Sequence, residues 1–242
     1  MRQLLIAILL ATGWADIALG APEHPTLPQV IGPLPVTQSS YPFSAADHQQ
    51  KPANLAASGY VETEYLIGGL ARVFDWPQAM QSTVRAMGPY TTRILVRRPR
   101  DASHFSGTVI VEPLNPSDDI DLPIMWAESY RQLMRDGDAW VGVTIKPNTI
   151  TALKKFDAVR YAAVALSNPR STPACEDSRI NPLSRPTTVA DESGLAWDVL
   201  SQIGALLKSG AADNPIPWPV KRLYMTVSGS PATGLDGFAE RG

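Results

Sequence analysis

The sequence predicts an α/β fold: a three-layer α/β/α sandwich around a mostly parallel sheet, cut short at its C-terminal end. Three observations predict it. From about residue 107 onward, continuous apolar runs of strand length alternate with amphipathic helix patterns. Two earlier strand patterns carry charge on one face, as an antiparallel edge pair does. The last apolar run, Lys221-Arg222-Leu223-Tyr224-Met225-Thr226-Val227, leads straight into Ser228-Gly229-Ser230.

Residues 1–20 read as an export signal. Arg2 supplies the positive start, Leu4 to Ala11 the apolar stretch, and Ala18-Leu19-Gly20 the small residues of a cleavage site. The apolar run is well short of the roughly 20 residues that span a bilayer, so a cleaved signal is expected rather than an anchor. The expected destination is the periplasm or the outside, with no membrane contact after cleavage. Residues 21–59 form a proline-rich arm, with prolines at 22, 25, 28, 33, 35, 42 and 52. Proline lacks an N–H and fixes φ, which excludes helix or central strand. The arm is expected to lie extended on the domain, or to be partly disordered, with His24 and His48 facing solvent.

The partial domain occupies residues 60–242. In Tyr60 to Ile67, Val61, Thr63, Tyr65 and Ile67 face one way and Glu62 and Glu64 the other, the period of a half-exposed strand that Gly68-Gly69 ends. After a loop with Trp76-Pro77, a second strand covers Tyr90 to Arg97. Gly107 to Glu112 and Trp140 to Ile145 are apolar throughout, as buried parallel strands are. A helix over Ile124 to Arg135, with Trp126, Tyr130, Leu133 and Met134 as its buried stripe, joins them into a βαβ unit. A short helix is expected over Phe156 to Leu166 and a stronger one from Glu192 to Lys208. The run from Lys221 to Val227 is the final buried strand.

Composition narrows the function. Hydrophobic residues make up 44% and charged residues 18%, a globular balance. The formal charge of −2, with no basic cluster longer than a pair, argues against a nucleic-acid partner. Cys175 is the only cysteine, so no internal disulfide is expected. Ser117-Asp118-Asp119-Ile120-Asp121 reads as a solvated loop at a helix start, Trp126 and Trp197 as core. No metal ligands and no cofactor motif are assigned.

Three segments carry a resemblance. Phe105-Ser106-Gly107-Thr108-Val109-Ile110-Val111-Glu112-Pro113-Leu114-Asn115 is similar to the strand and oxyanion loop of a group of secreted α/β-hydrolase-domain proteins. Ala196 to Gly204 and Lys221 to Thr226 resemble that group's helix and strand before the nucleophile. The resemblance implies hydrolysis of an ester or related acyl bond in a small molecule by a serine nucleophile. Ser228 is the candidate nucleophile, and the N–H of Gly229 with one from the loop around Leu114 and Asn115 would hold the oxyanion.

The chain departs from that group at the decisive turn. Where the group has Gly-Trp-Ser-Gln-Ser-Gly, this sequence has Val227-Ser228-Gly229-Ser230-Pro231-Ala232, with Thr226 and Ser230 in the crowded places that favour glycine. Only Asp236 and Glu240 follow as acids, and no histidine lies beyond His104. Without a base a serine hydroxyl is a weak nucleophile, so the 242 residues are expected to be inactive, a hydrolase domain lacking its acid and histidine. The alternatives are an exported, non-catalytic binding or accessory domain, and a shifted reading frame after Thr226.

Overall fold

A computed structural model describes residues 25–49, 52–78, 81–169 and 193–227. The strands are β1 (Gln29–Ile31), β2 (Tyr60–Gln78), β3 (Gln81–Pro99), β4 (Thr108–Pro113), β5 (Ala139–Val143), β6 (Ala165–Leu166) and β7 (Arg222–Met225). The α-helices are α1 (Ile124–Asp136), α2 (Pro147–Phe156) and α3 (Ala196–Lys208). One sheet takes the order β1-β2-β3-β5-β4-β7, with β6 paired to β3. The export signal and Cys175 lie outside the described residues.

The sheet is mixed, not mostly parallel. Among the described strands, only β4–β5 and β4–β7 are parallel. The pairs β1–β2, β2–β3, β3–β5 and β3–β6 are antiparallel. The cause is local: only the β4-α1-β5 unit and the return through α3 to β7 make crossovers, and every earlier connection reverses the chain.

Around β4 and β5 the two faces of the sheet carry different clusters. Ile94, Val96, Val141 and Val143 join Val199, Ile203, Leu206 and Leu207 of α3. Their neighbours Leu95 and Trp140 join Trp126 and Leu133 of α1, together with Ala46, Ala53 and Leu55 of the arm. Adjacent strand residues point to opposite faces, so one strand serves both clusters. Gly142 makes this possible, because a Cβ there would collide with the indole of Trp140, two residues back on the same face.

The charged face of β2 and β3 is buried, against expectation. Glu64, Arg93 and Arg97 are all inaccessible. The cross-strand register sets Glu62 beside Arg97 and Leu66 beside Arg93. Opposite charges therefore meet within the sheet, and the arm seals them. Nor do the two strands stop where Gly68-Gly69 suggests. They continue as a two-stranded ribbon that pairs as far as Gln78↔Gln81. Its base is bolted to α3. Asp198 accepts the backbone N–H of Arg72 at 2.9 Å and the Arg72 guanidinium at 2.9 Å, and Gln202 donates to the Leu70 carbonyl at 2.8 Å.

Three smaller expectations also change. The helix near residue 156 runs before it rather than after it, starting at Pro147 in the first helical turn, where a missing N–H costs nothing. β7 is an exposed strand rather than a buried one, with Tyr224 at 54% and Met225 at 52% exposure. Trp126 is core, whereas Trp197 is only half-buried.

Candidate active site

The geometry that matters is set by β4. Its parallel partners β5 and β7 lie on opposite sides, reached through α1 and α3, whose apolar residues join different clusters. Strand β4 is therefore a topological switch point. Open α/β sheets bind ligands in the crevice beyond the carboxyl ends of the strands at such a point. The segments leaving that edge are the loop after β4 and the chain after β7. The backbone N–H of Thr226 still donates to Val111 at 3.0 Å, so both segments start from one edge. Ser228 and Gly229 lie outside the described residues.

The loop after β4 is tightly held. The N–H of buried Leu114 donates to the Val143 carbonyl at 2.9 Å, and Asn115 and Leu122 exchange N–H···O bonds at 3.0 and 2.9 Å. The Asn115 side-chain oxygen accepts the Ser117 N–H at 2.8 Å. Asp118 and Asp119 both take positive φ, at 58° and 59°, a region that aspartate enters more readily than most side chains. The N–H groups of Leu114 and Asn115, one of which is expected to serve an oxyanion beside that of Gly229, are thus already bonded to carbonyls.

Two buried carboxylates fix the loop at its ends. Glu112, the next-to-last residue of β4, accepts the N–H groups of Met125 and Trp126 at 2.8 and 3.1 Å and the indole N–H of Trp140 at 2.8 Å. It closes the N-terminus of α1, which has no capping side chain of its own. Burial raises the Glu112 carboxyl above its ordinary range, against the opposing pull of these donors. Asp121 is 1% exposed, not solvated as expected. It receives the hydroxyl of Thr144 and the Arg93 guanidinium, Nη2 at 3.2 Å and Nε at 3.3 Å.

Arg93 is the hub of this edge. Its Nη1 donates to Glu64 at 2.7 Å and to the carbonyl of Phe43 in the arm at 3.0 Å. Glu64 is also bonded by Arg160 at 2.5 Å and by the hydroxyl of Tyr161 at 2.9 Å. Burial alone would lower the Arg93 pKa, but the facing carboxylates of Asp121 and Glu64 outweigh it and hold the guanidinium firmly charged. Sequence reasoning missed this hub. The signal available was two acids spaced i, i+2 on one strand and two arginines spaced i, i+4 on its neighbour, an arrangement that lets every charge pair across the strands.

Of the two described histidines, His104 lies far from the crevice. His104 sits in a 3-10 turn before β4, at the opposite end of that strand, roughly 20 Å away for a six-residue strand. His48 is half-exposed, stacked on Tyr41 at 3.9 Å and bonded to Asp47 at 2.7 Å. His24 lies outside the described residues. Among the described residues no group of three or more His, Cys, Asp or Glu side chains is arranged to hold a metal ion.

Comparison with known proteins gives one match. A family model described as an alpha/beta hydrolase domain matches residues 30–236. No curated protein and no solved structure matches the chain.

Proposed function

Since the chain belongs to the α/β-hydrolase domain family, we propose that its crevice is organised for hydrolysis of an ester or related acyl bond in a small molecule. Ser228 is the nucleophile position. The N–H of Gly229 supplies one oxyanion donor, and the loop from Leu114 supplies the other. The observation that carries this is the parallel placement of β4 and β7, which sends both segments off one edge at the switch point. The layers of α1 and α3 on either side of the sheet fit the three-layer architecture of that reading. Residues 1–20 direct export, and neither nucleic acid nor membrane takes part afterwards.

A polypeptide of these 242 residues alone should not turn over. Moving the serine proton requires a base, and the sequence holds no histidine after residue 104. An oxyanion would also compete with the Leu122 carbonyl for the N–H of Asn115. That committed loop favours a second reading, an exported binding or accessory domain on the same scaffold.

The test is hydrolysis of short acyl nitrophenyl esters by residues 21–242, with Ser228→Ala as control. No turnover is expected. Turnover that disappears in the variant would overturn the inactive reading and establish Ser228. A homogeneous, soluble preparation favours the accessory domain. Aggregation through the exposed β7 edge favours an incomplete hydrolase.

A further inference from the structure

The arm is expected to lie extended on the domain or to be partly disordered; its bonds gather at the site edge. Along residues 34–46, the Pro35 carbonyl accepts from Arg160 at 2.7 Å, Ser40 donates to Asp157 at 2.6 Å, and the Phe43 N–H donates to the Tyr161 hydroxyl at 2.8 Å. The Phe43 carbonyl accepts from Arg93 at 3.0 Å, and the Ser44 carbonyl accepts from Arg97 at 2.7 Å. The Ser44 hydroxyl donates to the Asp121 backbone carbonyl at 3.1 Å. Thus one guanidinium, that of Arg93, holds both the strap and the loop after β4.

Burial makes this coupling strong. Arg93 has no access to water, so a strap that lifts takes one of the two acceptors of its Nη1, leaving Glu64 alone, and an unpaired N–H costs far more inside a protein than at its surface. Asp121 faces the same constraint, because its second carboxylate oxygen has no partner among the described residues. It depends on Arg93 for its counter-charge and on Thr144 for a hydrogen bond. Disturbing Arg93 from the strap side therefore disturbs the loop.

We propose that residues 34–48 form a strap that walls the crevice and is coupled through Arg93 to loop 114–122, so that the two segments order and loosen together. Calling the crevice a site rests on the proposed function; the coupling does not.

Amide hydrogen exchange of the full chain tests the coupling without any activity. Arg93→Lys keeps the buried charge but lacks the fork that reaches both partners. Peptides from 34–48 and from 114–122 should both exchange about two- to tenfold faster, the factor that a lost hydrogen bond corresponds to. The ribbon base and α3 should keep their rates. Ser40→Ala removes the strap's bond to Asp157 and the longer one from Arg160 at 3.5 Å, neither of them made to loop 114–122, and decides the matter should Arg93→Lys fail to fold. Faster exchange in loop 114–122 of that variant supports the coupling. A strap that loosens while the loop keeps its rate overturns it, as does a loop that loosens alone. Failure here would leave the Ser228 reading standing, since that reading falls on the esterase measurement.

Discussion

Arg93→Met is the sharpest probe of what holds the site edge. Methionine fills the arginine stem but donates nothing, so the two carboxylates lose their shared partner. Their losses are unequal. Glu64 keeps Arg160 at 2.5 Å and the Tyr161 hydroxyl at 2.9 Å. Among the described residues Asp121 keeps only the Thr144 hydroxyl, and its other oxygen already lacks a partner there. Breaking a buried pair on one side costs about 3–5 kcal/mol. For a chain of this size that lowers Tm by about 6–20 °C, at about 2–4 °C per kcal/mol. Urea denaturation followed by tryptophan fluorescence measures it as a lower midpoint with an unchanged slope. The double variant Arg93→Met/Asp121→Leu should recover about 1–3 kcal/mol of the loss, because it removes the orphaned charge as well. A loss under about 1 kcal/mol in the single variant, or strict additivity in the double, would refute the account of Arg93 as the hub.

Three further outcomes follow from the geometry. Gly137→Ala places a Cβ against the His104 carbonyl at a φ of 77°; it should destabilise by more than about 1 kcal/mol, and a wild-type melting temperature would count against the turn as described. Asp198→Asn weakens the bolt between the ribbon and α3, with an expected loss of about 1–2 kcal/mol, since Arg72 is partly exposed; limited proteolysis should then cut between residues 70 and 90, and protection equal to wild type would contradict it. Glu112, held above its ordinary 4.5 by burial, keeps its proton longer folded than unfolded. Stability should therefore fall as pH rises from about 4.5 through the folded pKa and level off above it. Glu112→Gln should remove that limb, and an unaltered stability–pH curve would dispose of the assignment.

The βαβ unit was plain from the sequence, because its signals were local and agreed with one another. Gly107 to Glu112 and Trp140 to Ile145 read as buried runs, against strands at Thr108–Pro113 and Ala139–Val143, and α1 and α3 begin and end within a few residues of expectation. What misled was the treatment of single residues as punctuation. Gly68-Gly69 looked like a stop, yet Gly69 lies inside β2, where a Cβ would come within 3.3 Å of Gln202 and 3.4 Å of the Tyr90 ring. Close approach, not chain reversal, accounts for that glycine. Charge misled in the same way. Glu62 and Glu64 implied a wet face because their partners lay more than twenty-five residues away, and alternation within one strand carries no information about its neighbour. The site loop was located through resemblance, but the bonding of Leu114 and Asn115 depends on Val143 and Leu122, which only the folded topology brings to them.

The Arg97 guanidinium lies 4.5 Å from the ring of Trp126 and 4.7 Å from that of Trp140, while its Nε donates to Glu62 at 2.6 Å. In that quartet the acid supplies the counter-charge and the two indoles fill the space around the cation. Lose the acid and a cation is stranded; lose an indole and the cation sits in a void; lose the cation and Glu62 lacks its counter-charge. Natural variation at positions 62, 97, 126 and 140 should therefore be concerted, with a descendant that abandons the arginine replacing its neighbours in the same lineage.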